Sequence, residues 1–207
     1  MKKLILTAFE PFGGEQVNPS AQAVERLPRR IGDVEIATLI LPVVFGKSVQ
    51  KLKDAMDELR PDAVFSIGQA GGRAELTPER IAVNMMDARI PDNEKKQPRD
   101  VPICADGPAA YFSTLPVRAI ADAIRGQGLP ARLSNTAGLY VCNAVMYGAL
   151  HHAARALPRC ICGFMHVPFS PQQAAAQSTP QPSMAIDDAA RGITAAVNAI
   201  DAFLKDR

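Results

Sequence analysis

The chain has 207 residues, 47% hydrophobic, 21% charged and 5% aromatic, enough for one domain with a substantial apolar core. Twenty-three Lys and Arg against twenty-one Asp and Glu leave a formal net charge of +2, without the clustered basic excess of a nucleic-acid surface. No run of about 18 apolar residues occurs, so no membrane span is expected, and Met1-Lys2-Lys3-Leu4-Ile5-Leu6-Thr7 reads as the start of a strand, not an export signal.

Taken in chain order, the apolar period alternates between strand-like and helix-like. Residues 3–8 predict a first strand, and Asn18-Pro19-Ser20 opens a helix with Asn18 as cap and Pro19 at its first position. Residues 34–41 predict a second strand. Val49, Leu52, Met56 and Leu59 then line one helix face, opposite Lys51, Lys53, Asp54, Asp57 and Glu58. Strands are expected at 63–68 and 81–85. Residues 87–111 break the pattern with prolines at 91, 98, 102 and 108, and read as a long loop or small hairpin. A helical stripe of Val117, Ile120, Ala121 and Ile124 ends at Gly126 and Gly128, ahead of a strand at 131–134. A turn at 135–140 leads into a helix from Val141 to about Leu157, then a strand at 159–167. Ile186, Ala189, Ile193, Val197, Ile200 and Leu204 form the stripe of a C-terminal helix.

This order predicts a single α/β domain over residues 1–207, with three α/β/α layers and a mainly parallel, mixed, twisted sheet. Ligands of such sheets bind beyond the C-terminal strand ends. Here those are residues 9–14, 69–79, 135–142 and 166–171. The glycine-rich pieces Phe12-Gly13-Gly14 and Gly68-Gln69-Ala70-Gly71-Gly72-Arg73 fit neither nucleotide-binding pattern. They can still bring backbone N–H groups close to a ligand.

Four cysteines are too few for a disulfide scaffold, and with no export signal they read as reduced thiols in the cytoplasm. No C-x-x-C pair exists. His151 and His152, two of three histidines, point about 100° apart on a helix and do not share an ion easily. Neither a metal nor a cofactor is expected. Cys160 and Cys162 lie in an apolar strand as small hydrophobes. Cys104 sits in the proline-rich loop with no acid–base partner apparent nearby in sequence. Cys142 differs, because it opens a helix whose dipole should lower its pKa and raise its thiolate fraction. His166, at the end of the strand at 159–167, is the candidate base. Glu79 and Asp87 are rival candidates to orient the imidazole, and spacing does not choose between them. His151 and His152 read as surface or helix-packing residues.

These residues fall in blocks that together resemble one family. Thr7-Ala8-Phe9-Glu10-Pro11-Phe12-Gly13-Gly14 with Asn18-Pro19-Ser20 resembles the N-terminal signature of the type I pyroglutamyl peptidases, also called pyrrolidone carboxyl peptidases. Gly68–Arg73, Thr77-Pro78-Glu79-Arg80-Ile81-Ala82-Val83-Asn84 and Asp87-Ala88-Arg89-Ile90-Pro91-Asp92-Asn93 follow. Thr136-Ala137-Gly138, Val141-Cys142-Asn143 and Gly163-Phe164-Met165-His166-Val167-Pro168 complete the order, over about residues 4–173.

The resemblance implies a cysteine peptidase that removes N-terminal pyroglutamate from peptides through a thioester, with Cys142 as nucleophile, His166 as base and Glu79 orienting the histidine. It implies a substrate pocket of Phe9, Phe12 and Gln69, with Asn18 bracing the first loop, and a homotetramer of compact α/β subunits. Ala8 departs from a usual glycine beside the pocket, and residues 93–98 replace a glycine-containing turn with one carrying two lysines.

Chemically, pyroglutamate is a neutral lactam with no ammonium for a carboxylate to hold. Two phenylalanine walls, with Gln69 or backbone at the polar edge, would suit it. The backbone N–H of Cys142 and the loop at 69–72 are oxyanion-donor candidates, and Arg89 reads as a salt-bridge residue near the site. The rival readings are a non-catalytic pyroglutamyl-peptide binding module on the same scaffold and a phosphorolytic or other small-molecule enzyme. The intact Cys, His and Glu set argues against the first, and the missing phosphate motif against the second.

Overall fold

Short apolar runs build the centre of the fold. The structure is a computed structural model that describes residues 2–206; Met1 and Arg207, the ends of the expected domain span, lie outside the described residues. In chain order the elements are β1 (Lys2–Phe9), α1 (Pro19–Val24), β2 (Arg30–Ile31), β3 (Val34–Leu41), α2 (Lys47–Leu59) and β4 (Ala63–Gln69). Then come β5 (Thr77–Glu79), β6 (Ile81–Val83), β7 (Ala110–Phe112), α3 (Val117–Gly126) and α4 (Val141–Ala156). β8 (Ile161–Val167), α5 (Pro171–Ala175) and α6 (Ile186–Lys205) complete the chain.

One sheet runs β2-β3-β1-β4-β8-β5. Its four central strands are parallel, and the edge strands β2 and β5 are antiparallel to their neighbours. The sheet is therefore mixed but mainly parallel, as the alternation of periods predicts. Helices α1, α3 and α6 cover one face through Val24, Ile120, Ile124, Ile193 and Ile200, and α2 and α4 cover the other through Leu52, Met56, Val145 and Leu150. With both faces covered, β8 is buried at every residue, which is why its sequence lacks polar alternation.

Two strand expectations need correction. Residues 81–85 do not extend the main sheet; Ile81–Val83 pairs antiparallel with β7 in a separate hairpin. The preceding residues, Thr77–Glu79, form the sheet edge instead. Pro78 fits there because an edge strand tolerates a residue with no N–H. Residues 131–134 make isolated bridges rather than a strand, and the same proline explains it. Leu76 N donates to Pro130 O, Arg132 N to Leu76 O, Ser134 N to Pro78 O and Arg80 N to Ser134 O. The missing rung of this parallel ladder is the one Pro78 would have to donate.

The first helix starts where its sequence signal places it. The Asn18 side chain accepts from Ser20 N at 3.0 Å, with Pro19 next to it. α5 was not anticipated, although Ser170 and Gln173 form a capping box around Pro171. Ala8 packs among the residues under α1 and α6, on the sheet face away from α4, so its methyl does not crowd the Cys142 side.

The segment 87–111 is tied down at its turn. The buried Asp92 carboxylate accepts from the backbone N–H groups of Glu94, Lys96 and Phe45, each at 2.9 Å. Inside that turn Lys95 has φ 67°, a left-handed conformation that costs a side-chain-bearing residue about 1–2 kcal/mol and glycine little. We expect Lys95→Gly to raise unfolding stability by about 1 kcal/mol, read as a higher urea midpoint at unchanged slope.

Candidate active site

The C-terminal strand ends converge on one corner of the sheet. Phe9 ends β1, Gln69 ends β4, and His166 lies one residue before the end of β8. Gly68 is paired in register with His166, and α4 begins one residue before Cys142. A Cβ at Gly68 would lie 3.0 Å from Cys142 Sγ and 2.7 Å from the Phe164 ring. The thiol can therefore sit against the sheet only because residue 68 has no side chain.

Glu79 reaches the site from β5. In register Thr77 opposes His166 and Glu79 opposes Phe164, so Glu79 and His166 are diagonal neighbours on one sheet face. Their side chains meet at 2.7 Å between Glu79 Oε1 and His166 Nδ1. A carboxylate can only accept, so Nδ1 carries the proton and Nε2 is the free nitrogen. Asp87, the rival, pairs with Arg99 at 3.4 Å. Arg73 stands behind the pair: one guanidinium nitrogen is 2.6 Å from both Glu79 Oε1 and Thr77 Oγ1, and the other donates to Thr136 O at 3.1 Å.

The electrostatics reverse one sequence expectation. Burial pushes the Cys142 thiol up to about 12, the Glu79 charge adds to the rise, and Arg73 and the residue's own backbone N–H oppose it without cancelling it. A helix N-terminus is worth about 0.3–1 kcal/mol, less than the ~1.4 kcal/mol that moves a pKa by one. Desolvation therefore wins over the dipole, and the resting sulfur is a thiol. Burial also holds His166 below the ordinary value of 6.5, although Glu79 favours its cation. Burial would raise Glu79, but the hydrogen bond and charge of His166, and then hydrogen bonds from Ser134 and Arg73, bring it below 4.5. The resting site is a neutral thiol, a neutral imidazole and an anionic carboxylate.

A cavity of about 310 Å³ opens over these groups, lined among others by Phe12, Gln69, Arg73, Tyr140, Cys142 and His166. A smaller hollow beside it is walled by Phe9, Phe12, Asn18, Val43, Gln69, Tyr140, Val141 and Cys142. The residues predicted from sequence thus line the two hollows, except Glu79, which supports His166 from behind. Asn18 braces the first loop by donating to Glu10 O at 3.0 Å while capping α1. Gln69 Oε1 accepts from Gln173 at 3.2 Å, which turns its amide nitrogen toward other partners. Arg89 lines the larger cavity, and among the described residues no carboxylate pairs with it, contrary to the expected salt bridge.

Sequence reasoning missed Tyr140, whose ring lies 6.1 Å from Phe12 and 5.3 Å from Phe45 and whose hydroxyl donates to Pro91 O. It also missed Arg73 as a partner of Glu79. The reading of Cys104 needs correction too. Its thiol donates to Asp106 at 3.0 Å and lies 3.5 Å from His151 Nε2. This second cluster lines neither hollow. Its thiol is raised first by the Asp106 hydrogen bond, which suits a donor and not a nucleophile. His151 is buried, as a helix-packing residue, and His152 pairs with Asp57 at 2.8 Å.

The sequence profile of the pyroglutamyl peptidase family matches residues 2–202. A pyrrolidone-carboxylate peptidase of Levilactobacillus brevis is 51% identical over 198 residues, covering 96% of this chain and 97% of the relative. One from Streptococcus pyogenes is 51% identical over 205 residues, covering 99% and 94%. The crystal structure of Bacillus amyloliquefaciens pyroglutamyl peptidase I superposes with a TM-score of 0.93 at 43% identity, covering 98% of each chain. The pyrrolidone carboxyl peptidase of Thermococcus litoralis gives 0.94 at 41% identity, covering 100% and 97%. The fold is that of an α/β hydrolytic enzyme with its site at the strand ends. The chain belongs to the pyroglutamyl peptidase family.

The start of α4 is clamped next to the thiol. Asn143, buried, donates to Val83 O and Met85 O at 2.9 and 3.0 Å and accepts from Val83 N at 2.9 Å. Asn143→Ala strands those three backbone groups, and we expect a loss of about 1–3 kcal/mol, measured as a lowered urea midpoint.

Proposed function

We propose that this enzyme hydrolyses the amide bond after an N-terminal pyroglutamyl residue, with Cys142 as nucleophile, His166 as general base and acid, and Glu79 holding the imidazole. The observation that carries the reading is the buried His166–Glu79 pair opening, beside a thiol, on a cavity lined largely by apolar groups. His166 Nε2 takes the Cys142 proton as Sγ attacks the pyroglutamyl carbonyl, because the resting thiol is not already ionised. The resulting imidazolium, balanced by Glu79, protonates the departing amine. Water activated by His166 then cleaves the thioester and frees pyroglutamate.

The oxyanion falls to the open end of α4. Tyr140 supplies no capping side chain, so the first N–H groups of the helix, that of Cys142 among them, remain for a ligand. In the 69–72 loop, Ala70 N is committed to Val167 O at 2.9 Å, which leaves Gly71 and Gly72 as that loop's donors. Phe9, Phe12, Val43 and Tyr140 clamp the lactam ring, and the Gln69 amide donates to its carbonyl. A free α-ammonium is rejected: Arg89 repels it, and Asp87 is engaged by Arg99. The binding-module alternative is not favoured. Peptides with N-terminal pyroglutamate are the partners, and no nucleic acid, membrane or cofactor enters the scheme.

We further read residues 1–207 as one domain of a cytoplasmic homotetramer. Four cysteines, too few for a disulfide scaffold, support a reducing compartment. Phe112, 74% exposed on the β6–β7 hairpin, supports burial against another subunit.

We expect Cys142→Ser to cut release of free pyroglutamate from a blocked peptide by about three orders of magnitude or more, with the urea midpoint retained. Wild-type turnover in that variant would overturn the assignment. His166 must be neutral to accept the proton, and its pKa is depressed, so the base form persists above that value and is lost as pH falls through it. The acidic limb of kcat/KM should accordingly lie below pH 6.5; a limb above that value would contradict the buried, neutral imidazole.

A further inference from the structure

Cys104, Asp106 and His151 bring a sulfur, an oxygen and a nitrogen ligand atom within 4.8 Å of one another. The loop that carries the first two is rigidly built. Gly107 N donates to Cys104 O at 3.2 Å, closing a turn that turns the thiol and the Asp106 carboxylate toward each other. Asn84 grips both ends of that turn: it accepts from Cys104 N at 2.9 Å and donates to Cys104 O at 2.7 Å and Gly107 O at 3.2 Å. The turn lies flat on α4, since a Cβ at Gly107 would sit 2.2 Å from the Tyr147 hydroxyl, which itself donates to Pro108 O at 2.7 Å.

α4 supplies the third ligand. The His151 ring stacks on Tyr147, with centroids 6.0 Å apart and planes 11° from parallel, and its Nδ1 lies 3.0 Å from the Tyr111 hydroxyl. An Nδ1–H given to that oxygen leaves the Nε2 lone pair facing Cys104 Sγ at 3.5 Å. Metal-ligating histidines are oriented by such an outer hydrogen bond.

We propose that Cys104 Sγ, Asp106 Oδ1 and His151 Nε2 form a zinc-binding site, separate from the cavity of Cys142, with water as the fourth ligand. Zinc bonds of about 2.3 Å to sulfur and 2.0–2.1 Å to nitrogen, at tetrahedral angles, set a sulfur–nitrogen separation of ~3.5 Å, which is the separation present. The thiol–carboxylate contact of 3.0 Å opens by about half an ångström for the same geometry. A thiolate, an imidazole and a carboxylate are donors for zinc rather than for magnesium or calcium. Binding breaks the Cys104 S–H bond, releases that proton to solvent and forms a metal–sulfur bond in place of the hydrogen bond to Asp106. Lys53 and Arg155 carry the nearby positive charge; Arg155 faces Asp106 Oδ2 at 3.6 Å, leaving Oδ1 to the ion. The bound ion fastens the 104–108 loop to α4, about 13 Å along the helix from Cys142 at 1.5 Å per residue.

The test uses the full chain carrying Cys142→Ser, so that the cavity thiol cannot bind the probe. After metal removal, titration with Co²⁺ should give one ion per chain and a thiolate-to-cobalt absorption band, and Zn²⁺ should bleach that band and raise the melting temperature. Adding Cys104→Ala should abolish the band and the thermal shift, and adding Asp106→Asn should weaken binding by roughly tenfold or more. With Cys142 intact, Cys104→Ala should retain wild-type turnover, showing that the chain still folds. Absence of a thiolate band, or equal affinity in the Cys104→Ala chain, would overturn the proposal.

Discussion

The corner of the sheet where the candidate site sits depends on one buried contact, the Nδ1–H of His166 donated to Glu79. Both side chains are almost wholly withdrawn from water, so each would be expensive to bury alone. Removing His166 would leave the Glu79 charge buried without its donor, and removing Glu79 would leave a buried N–H unsatisfied. The pair in turn requires the edge strand β5, the diagonal register between β5 and β8, and Arg73 from the glycine-rich loop. Glu79 Oε1 takes the two short contacts of the carboxylate, from His166 and Arg73, and Ser134 adds a weaker side-chain hydrogen bond. Oε1 is shared by the imidazole and the guanidinium, which couples the glycine-rich loop to the tautomer of the histidine.

The second constraint is the contest between a helix end and burial at Cys142. The two effects are unequal here, because the sulfur is packed against Gly68 and the sheet while the dipole acts as a partial charge. A thiol is the result, and proton transfer becomes part of the proposed attack rather than a step completed beforehand. The depressed pKa of His166 fits this scheme, since a neutral imidazole is required to accept the proton.

Much of the fold was legible because short apolar runs and helical apolar stripes report local geometry directly. The residues around Cys142 could be ranked from their position at a helix start, and the strand-end rule gathered four separate segments into one region. What sequence could not supply was cross-strand pairing. Glu79 and Asp87 look alike along the chain, and only the antiparallel addition of β5 beside β8 brings one of them to the imidazole. Pro78 hid twice, marking the edge strand and breaking the ladder that would have made residues 131–134 a strand. Cys104 and His151 are 47 residues apart, and nothing in either neighbourhood announces that a loop folds back onto the helix. The dipole argument failed for another reason: sequence gives a residue's place in a helix but not the depth of the wall behind it.

Keeping the Cys142 sulfur protonated has a consequence for durability. Peroxide and other oxidants attack the anionic form of a cysteine, and the steps beyond sulfenic acid are largely irreversible. In the proposed reaction that sulfur yields its proton only to His166, and so offers scavenging oxidants little to work on between turnovers. The desolvation that makes this half-buried residue a sluggish free nucleophile thus also slows its chemical ageing.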